Sequence, residues 1–196
     1  MTDPHPLEVR VGYRFEDPSI LRQALTHSTY ANEHPDEGDH NERLEFLGDA
    51  VVGLLVADML FEDLDQAHEG LLTKRRARVV RREGLAKIAR QLELGAHLKL
   101  GQGQRRAGGE DSDRLLADAL EAFVAALFRD GGMEVVRRTV GPWFADALSE
   151  RSQRLDFKTT FQERALARGQ PSPDYGVIYI SGPDHARTYQ VEVVIA

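Results

Sequence analysis

The sequence predicts an all-α domain, a helical bundle over residues 1–150, joined by a linker at 151–155 to a small α+β module over 156–196. Three observations predict it. Asn41–Phe61 (NERLEFLGDAVVGLLVADMLF) carries apolar residues round the whole helical circumference from Phe46 onward, as a helix at the centre of a bundle does. Residues 112–129 (SDRLLADALEAFVAALFR) repeat that character, with Leu116, Leu120, Phe123, Val124 and Leu127 on one side. Beyond the polar run Ser149–Arg154 the pattern changes to one short helix and two β-like runs.

The elements follow in order. Residues 7–13 (LEVRVGY) precede Asp17-Pro18, a helix start with proline just inside it, and the helix runs through Leu25. Residues 26–29 close it, and 32–40 (NEHPDEGDH) form a polar loop. His27, His34 and His40 are not spaced as a zinc site and read as structural or surface histidines. Asp39 and Glu42 have the D-x-x-E form of a capping box for the central helix, which leaves Glu42 open to a capping role and a functional one. Residues 70–92 read as one helix with Thr73 as a cap. Lys74, Arg78, Arg81 and Arg82 share one stripe of it, either a solvated basic face or a phosphate-contacting one. Residues 95–109 are glycine-rich and read as a flexible connection; no strand precedes them and no lysine-serine/threonine pair follows, so they are not a nucleotide loop. Residues 129–132 (RDGG) end the second apolar helix, and 133–150 form a last one with Trp143 and Phe144 in the core. In the tail, a helix is expected over 158–168, then strands Tyr175–Ile180 and Tyr189–Ile195 around the turn SGPDHART.

Composition narrows the function. No charge-free apolar run approaches 18 residues, so no membrane span is expected. MTDPHPLEVR lacks a signal-peptide layout, and with no cysteine in the chain a cytoplasmic address is expected. Zero cysteines exclude disulfides, thiolate metal sites and a cysteine nucleophile. A net charge of −7 argues against a nucleic-acid partner until its distribution is read. Residues 31–70 hold twelve Asp and Glu against one Arg, whereas residues 71–90 hold eight Lys and Arg against one Glu. Charge segregated this way builds a basic surface beside an acidic pocket.

Glu42, Glu45 and Asp49 stand at i, i+3 and i+7 at the entry of the central helix, and Asp118 and Glu121 at i, i+3 on the edge of the second apolar face. If the two helices pack side by side, Glu45, Asp49, Asp118 and Glu121 converge. At ~5 Å and an effective dielectric of ~20, each charged pair repels by ~3 kcal/mol, so the set must hold protons or bind a cation. Oxygen-only donors suit magnesium or manganese and not zinc. A di-iron bundle needs Glu-x-x-His, and neither acidic pair has a histidine three residues on. Magnesium held by few carboxylates meets substrate phosphate, which points to phosphodiester hydrolysis on a phosphate polymer.

NERLEFLGDAVVGLLVADMLF resembles the signature of the ribonuclease III family, and LLADALEAFVAALFRDGG resembles its second acidic motif. The connecting segment EGLLTKRRARVVRREGLAKIARQLELGAHLKLGQG is similar in order and spacing. The tail from Asp156 resembles the start of a double-stranded-RNA-binding domain of α-β-β-β-α type, incomplete because the third strand and basic second helix are absent. The resemblance implies an all-α endonuclease domain that forms a homodimer. It cuts double-stranded RNA to leave 5′-phosphates and 3′-hydroxyls, in processing ribosomal and other structured precursors. It implies that Glu45, Asp49, Asp118 and Glu121 hold magnesium, with manganese as a substitute, and that Asp49 and Glu121 are tied most directly to catalysis. Glu42 matches an acid near the subunit interface and cleft. Thr159, Gln162, Glu163 and His185 match minor-groove contacts that read A-form shape. The chain departs from the family at Gln104-Arg105-Arg106, where acidic residues are common, and at Arg114, where serine is frequent. Two rival readings remain: a protein that holds duplex RNA without cutting it, and acids satisfied structurally by Arg43, Arg75 or helix caps. The presence of all four acids favours the enzyme over the first.

Overall fold

The computed structural model describes residues 3–65, 67–153, 161, 165, 168–183 and 187–195. The chain divides into two units, Met1–Glu150 and Arg151–Ala196. The first is helical: α1 Pro6–Val11, α2 Pro18–Ala24, α3 Ser28–Glu33, α4 Glu42–Asp63, α5 Glu69–Val79, α6 Arg82–Gln91, α7 Gln102–Arg106 and α8 Asp113–Gln153, with short 3-10 turns between some of them. The second contains a hairpin of β1 Asp174–Ser181 and β2 Thr188–Val194, paired antiparallel from Asp174↔Val194 to Ser181↔Thr188 with a register irregularity between Val177 and Tyr179. The helix expected over 158–168 falls outside the described residues except for Phe161, Ala165 and Arg168.

The core of the helical unit is built on α4, α6 and α8. Leu55 and Leu60, Leu85 and Ile88, and Leu116, Leu120, Phe123, Leu127 and Phe144 are all sealed from water. A side chain of this size contributes about 1.5–3 kcal/mol on burial. α8 changes direction at Gly132, whose φ of 74° and ψ of −176° lie outside the helical region, so the RDGG stop appears as a kink between two helical limbs. The second limb is tied to α4 through Arg137, which pairs with Asp58 and with Glu62 at 3.0 Å.

Several local expectations are corrected. Asp39 does not cap α4: the helix begins after Asn41, which makes no side-chain cap. Asn41 is instead buried and anchors the helix entry to the end of α2, donating its backbone N–H to the Thr26 carbonyl at 2.9 Å and its Nδ2 to the Ala24 carbonyl at 3.4 Å. The stretch expected to close α2 and lead into a loop forms α3, capped by His27. Residues 70–92 are two helices, because Arg81 at φ −66° and ψ 154° is extended and breaks the run. The basic stripe is thereby divided between α5 and α6. His68, and not Thr73, caps α5 by accepting from the Leu71 N–H at 3.3 Å. The glycine-rich connection carries α7 and two 3-10 turns, with Glu33 accepting the Gln102 N–H at 3.0 Å.

The largest correction concerns α4. Phe46 is 83% exposed, Leu54 59% and Phe61 73%. With exposed Ala50 and half-buried Ala57 they follow at helical spacing and form one stripe that the helical unit leaves largely uncovered.

Candidate metal centre

Two helices carry the acids, and a missing side chain lets them meet. Gly48 of α4 lies against the backbone of Glu121 in α8, where a Cβ would overlap the Glu121 carbonyl. That contact brings Glu45, one turn before Gly48, and Asp49, just after it, to the side of α8 that carries Asp118 and Glu121. Within α8 the small neighbours Ala117 and Ala122 are buried and help admit the approach.

One carboxylate oxygen each from Glu45, Asp118 and Glu121 lies within 4.8 Å of the other two. Asp49 is not in this tight group but lines the same cavity of about 500 Å³, together with Glu42, Glu45, Phe46, Arg114 and Glu121. Glu42 is exposed at the rim, 3.8 Å from His40 Nδ1, and also borders a neighbouring cavity of about 700 Å³ lined by Gln23, Arg43, Leu47 and Arg129. Thr159, Gln162, Glu163 and His185 lie outside the described residues.

The electrostatics are those of crowded acids. Burial, then the charges of Asp49, Asp118 and Glu45, push the Glu121 carboxyl up to about 8. Burial, followed by Asp118 and Glu42, raises Glu45 as well. Asp118 is raised by burial against the opposing pull of Arg114, Arg82 and His27. Arg114 Nε sits 3.7 Å from Asp118 Oδ2. His27 is lowered by burial, in spite of Asp118 and Glu42, which favour its protonation. Its Nδ1 accepts the Thr29 N–H at 3.2 Å, so the neutral ring carries its proton on Nε2.

This donor set fits a hard divalent cation. It offers oxygen only, from groups close enough to share one ion, and the Glu121 proton marks an unmet demand for positive charge there. The cations that act on Asp118 are Arg114, Arg82 and His27, and the Nε of Arg75 is buried without a hydrogen-bond partner among the described residues. Sequence reasoning noted Arg114 only as a departure and read His27 as structural; their place beside Asp118 depends on tertiary packing, and only the position of Arg114 one helical turn before Asp118 signalled it. A separate cavity of about 300 Å³ around His5, Glu8, Arg14 and His97 holds no comparable group of metal-ligating atoms among the described residues.

Carboxylates gathered from two helices at the side of an all-helical unit form an acidic cluster consistent with a metal site. Residues 17–148 match the family model described as ribonuclease-III-like. The chain is 40% identical over 192 residues to ribonuclease 3 of Caldanaerobacter subterraneus subsp. tengcongensis, covering 96% of this chain and 84% of that one. It is 45% identical over 186 residues to ribonuclease 3 of Symbiobacterium thermophilum, covering 93% and 78%. The nuclease domain of ribonuclease III from Campylobacter jejuni superposes with a TM-score of 0.66 at 34% identity, over 80% of this chain and 100% of that one. The chain belongs to the ribonuclease III family, the endoribonucleases that act on double-stranded RNA.

Proposed function

We propose that Glu45, Asp49, Asp118 and Glu121 form the catalytic metal centre of this endoribonuclease, holding magnesium, with manganese as a substitute. The observation that carries the reading is the convergence of three carboxylate oxygens from α4 and α8 within 4.8 Å. When bound, the cation supplies Lewis-acid polarisation of the scissile phosphate and activation of a water. Glu121 would hold the cation as its carboxylate, having released the proton it otherwise keeps up to about 8. Asp49, at the cavity wall, is with Glu121 the carboxylate tied most directly to catalysis in this reading.

The exposed stripe Phe46, Leu54 and Phe61 is the homodimer face in this reading, and it shares Phe46 with the cavity. The related Campylobacter jejuni nuclease domain has a region involved in dimer formation, which supports the assignment. Two such centres act on the two strands of one duplex, leaving 5′-phosphates and 3′-hydroxyls, with Glu42 at the cleft between subunits. Residues 156–196 are the first part of a double-stranded-RNA-binding domain, with Thr159, Gln162, Glu163 and His185 as its groove contacts. Ribosomal and other structured precursors in the cytoplasm are the proposed substrates.

Duplex RNA incubated with the chain and magnesium should give short products with 5′-phosphate ends, and none in chelator. Asp49→Asn and Glu121→Gln should each slow cleavage by ~100-fold or more, the scale of losing one charge-stabilising group. Cleavage that persists in chelator, or either variant cutting at the wild-type rate, would overturn the assignment.

A further inference from the structure

Among the described residues, Arg114 is the cation lining the acidic cavity, and every other charged group there is an acid. It occupies the first turn of α8, one turn before Asp118, and its side chain is 75% exposed against 25% for Asp118. The 3.7 Å pair it makes with Asp118 is long and water-facing, so it is easily exchanged. Asp118 is also one of the three groups whose oxygens converge. A guanidinium and a divalent ion therefore compete for the same carboxylate. When the ion takes Asp118, the guanidinium is released at the mouth of the cavity, which is where a phosphodiester must enter. A guanidinium keeps its charge at every working pH and presents a planar fork of donors that matches two phosphate oxygens.

We propose that Arg114 is a transferable counter-ion: it neutralises Asp118 while the metal site is empty and moves onto an RNA phosphate beside the scissile bond when the cation takes Asp118. The proposal rests on the metal-centre reading given above. It makes Arg114 a substrate-contact residue, and it explains how an acidic cavity can admit a polyanion. The acids around the cavity repel phosphate until the metal binds, and the same event that supplies the metal charge frees a second positive charge at the entrance.

The two roles have opposite consequences when the side chain is removed. Arg114→Ala deletes a charge that repels the incoming cation and competes for its ligand, so magnesium should bind more tightly. It also deletes a phosphate contact, so duplex RNA should bind more weakly. A purely structural role for Arg114 would weaken both together.

The experiment compares wild type, Arg114→Ala and Arg114→Lys in the full chain. Magnesium titrations followed by thermal unfolding without RNA give the half-saturating concentration. Cleavage of a duplex at saturating magnesium and several salt concentrations gives KM, kcat and the slope of log KM against log salt. For Arg114→Ala we expect half-saturation at roughly three- to tenfold less magnesium, the scale of one unit charge acting on a divalent ion through a solvated path. We expect KM to rise roughly fivefold with kcat changed less, and the salt slope to fall by about 1, as for one lost phosphate contact. Arg114→Lys should keep the wild-type metal response and recover part of the KM, having the charge without the fork.

If wild-type stability responds to magnesium and Arg114→Ala matches it in both metal response and KM, the proposal fails while the metal reading stands. An Arg114→Ala protein that binds magnesium less tightly also overturns it. A wild type whose stability does not respond to magnesium overturns the metal reading and this proposal with it.

Discussion

Replacing Glu121 by glutamine isolates the electrostatic stress of the cluster, because the two side chains have nearly the same shape and differ in whether they can ionise. In the metal-free folded protein the Glu121 carboxyl holds its proton up to about 8, whereas an unperturbed glutamate releases it near 4.5. Between those values the folded state binds a proton that the unfolded chain has lost. The contribution to stability is therefore fully present below about 4.5 and disappears as pH rises through about 8. For a carboxyl wholly sequestered from water, that span corresponds to ~5 kcal/mol. Glu121 borders an open cavity, and solvent screening reduces the expected size to ~1–2 kcal/mol. In a helical unit of this size, ~1 kcal/mol moves the melting temperature by ~2–4 °C.

Thermal unfolding in chelator from pH 5 to pH 8.5 should therefore show the wild type losing ~2–8 °C relative to Glu121→Gln. The comparison between the two proteins cancels the other groups that titrate over the same range. At pH 8 magnesium should reverse the order. It should stabilise the wild type by about 2.7 kcal/mol at a hundred times its dissociation constant, and should do much less for the glutamine variant. Parallel pH curves for the two proteins in chelator would refute the reasoning, since they would mean that Glu121 is an ordinary solvated carboxylate with no convergent acids beside it.

Other perturbations test the scaffold. Gly48→Ala should cost ~2–3 kcal/mol, because its methyl overlaps the Glu121 carbonyl, and it should abolish magnesium stabilisation with every acid still present; thermal unfolding with and without magnesium reads both effects. Asp130→Ala should cost ~2–3 kcal/mol, since Asp130 accepts from the Tyr13 hydroxyl at 2.7 Å and from the Glu16 and Asp17 N–H groups at 2.9 and 3.1 Å. The Tyr13 hydroxyl, raised to about 12 by burial and then by Asp130, should titrate lower in that variant, as measured by NMR. Leu54→Glu with Phe61→Glu should leave the helical unit folded, because both side chains are exposed, and should sediment as a monomer under conditions where the proposed homodimer predicts a dimer for the wild type.

The acids and the two apolar helices were legible because helical spacing is local information. Glu45, Asp118 and Glu121 fall where their periodicity places them once α4 meets α8. What makes the helices meet was not legible. A glycine inside a helix reads as a propensity cost of ~1 kcal/mol relative to alanine, and nothing local says that Gly48 faces the Glu121 backbone. The uncovered stripe of α4 was hidden for a related reason: Phe46, Leu54 and Phe61 count as apolar wherever they point. The split between α5 and α6 was missed because no proline or glycine marks it; a single extended residue, Arg81, makes the turn. The order of 95–109 was missed because its partners lie elsewhere in the chain: Glu33 accepts from the Gln102 N–H at 3.0 Å, and the Leu25 carbonyl accepts from the Lys99 N–H at 2.8 Å.

These features connect stability to catalysis through one contact. The close approach of α4 and α8 at Gly48 excludes water from one side of Glu121, and that exclusion is the first cause of its raised proton affinity. Water is not excluded from the other side, which borders the open cavity that the proposed ion and phosphate would enter. The site is therefore held between two limits. Looser packing would let the carboxyls ionise in water with little gain from a metal, while tighter enclosure would keep them protonated against it. Substitutions that widen the contact should then weaken magnesium binding without touching a ligand, and those that neutralise an acid should stabilise the metal-free protein while removing its chemistry. A variant that gained metal-free stability and kept full magnesium affinity would break this link.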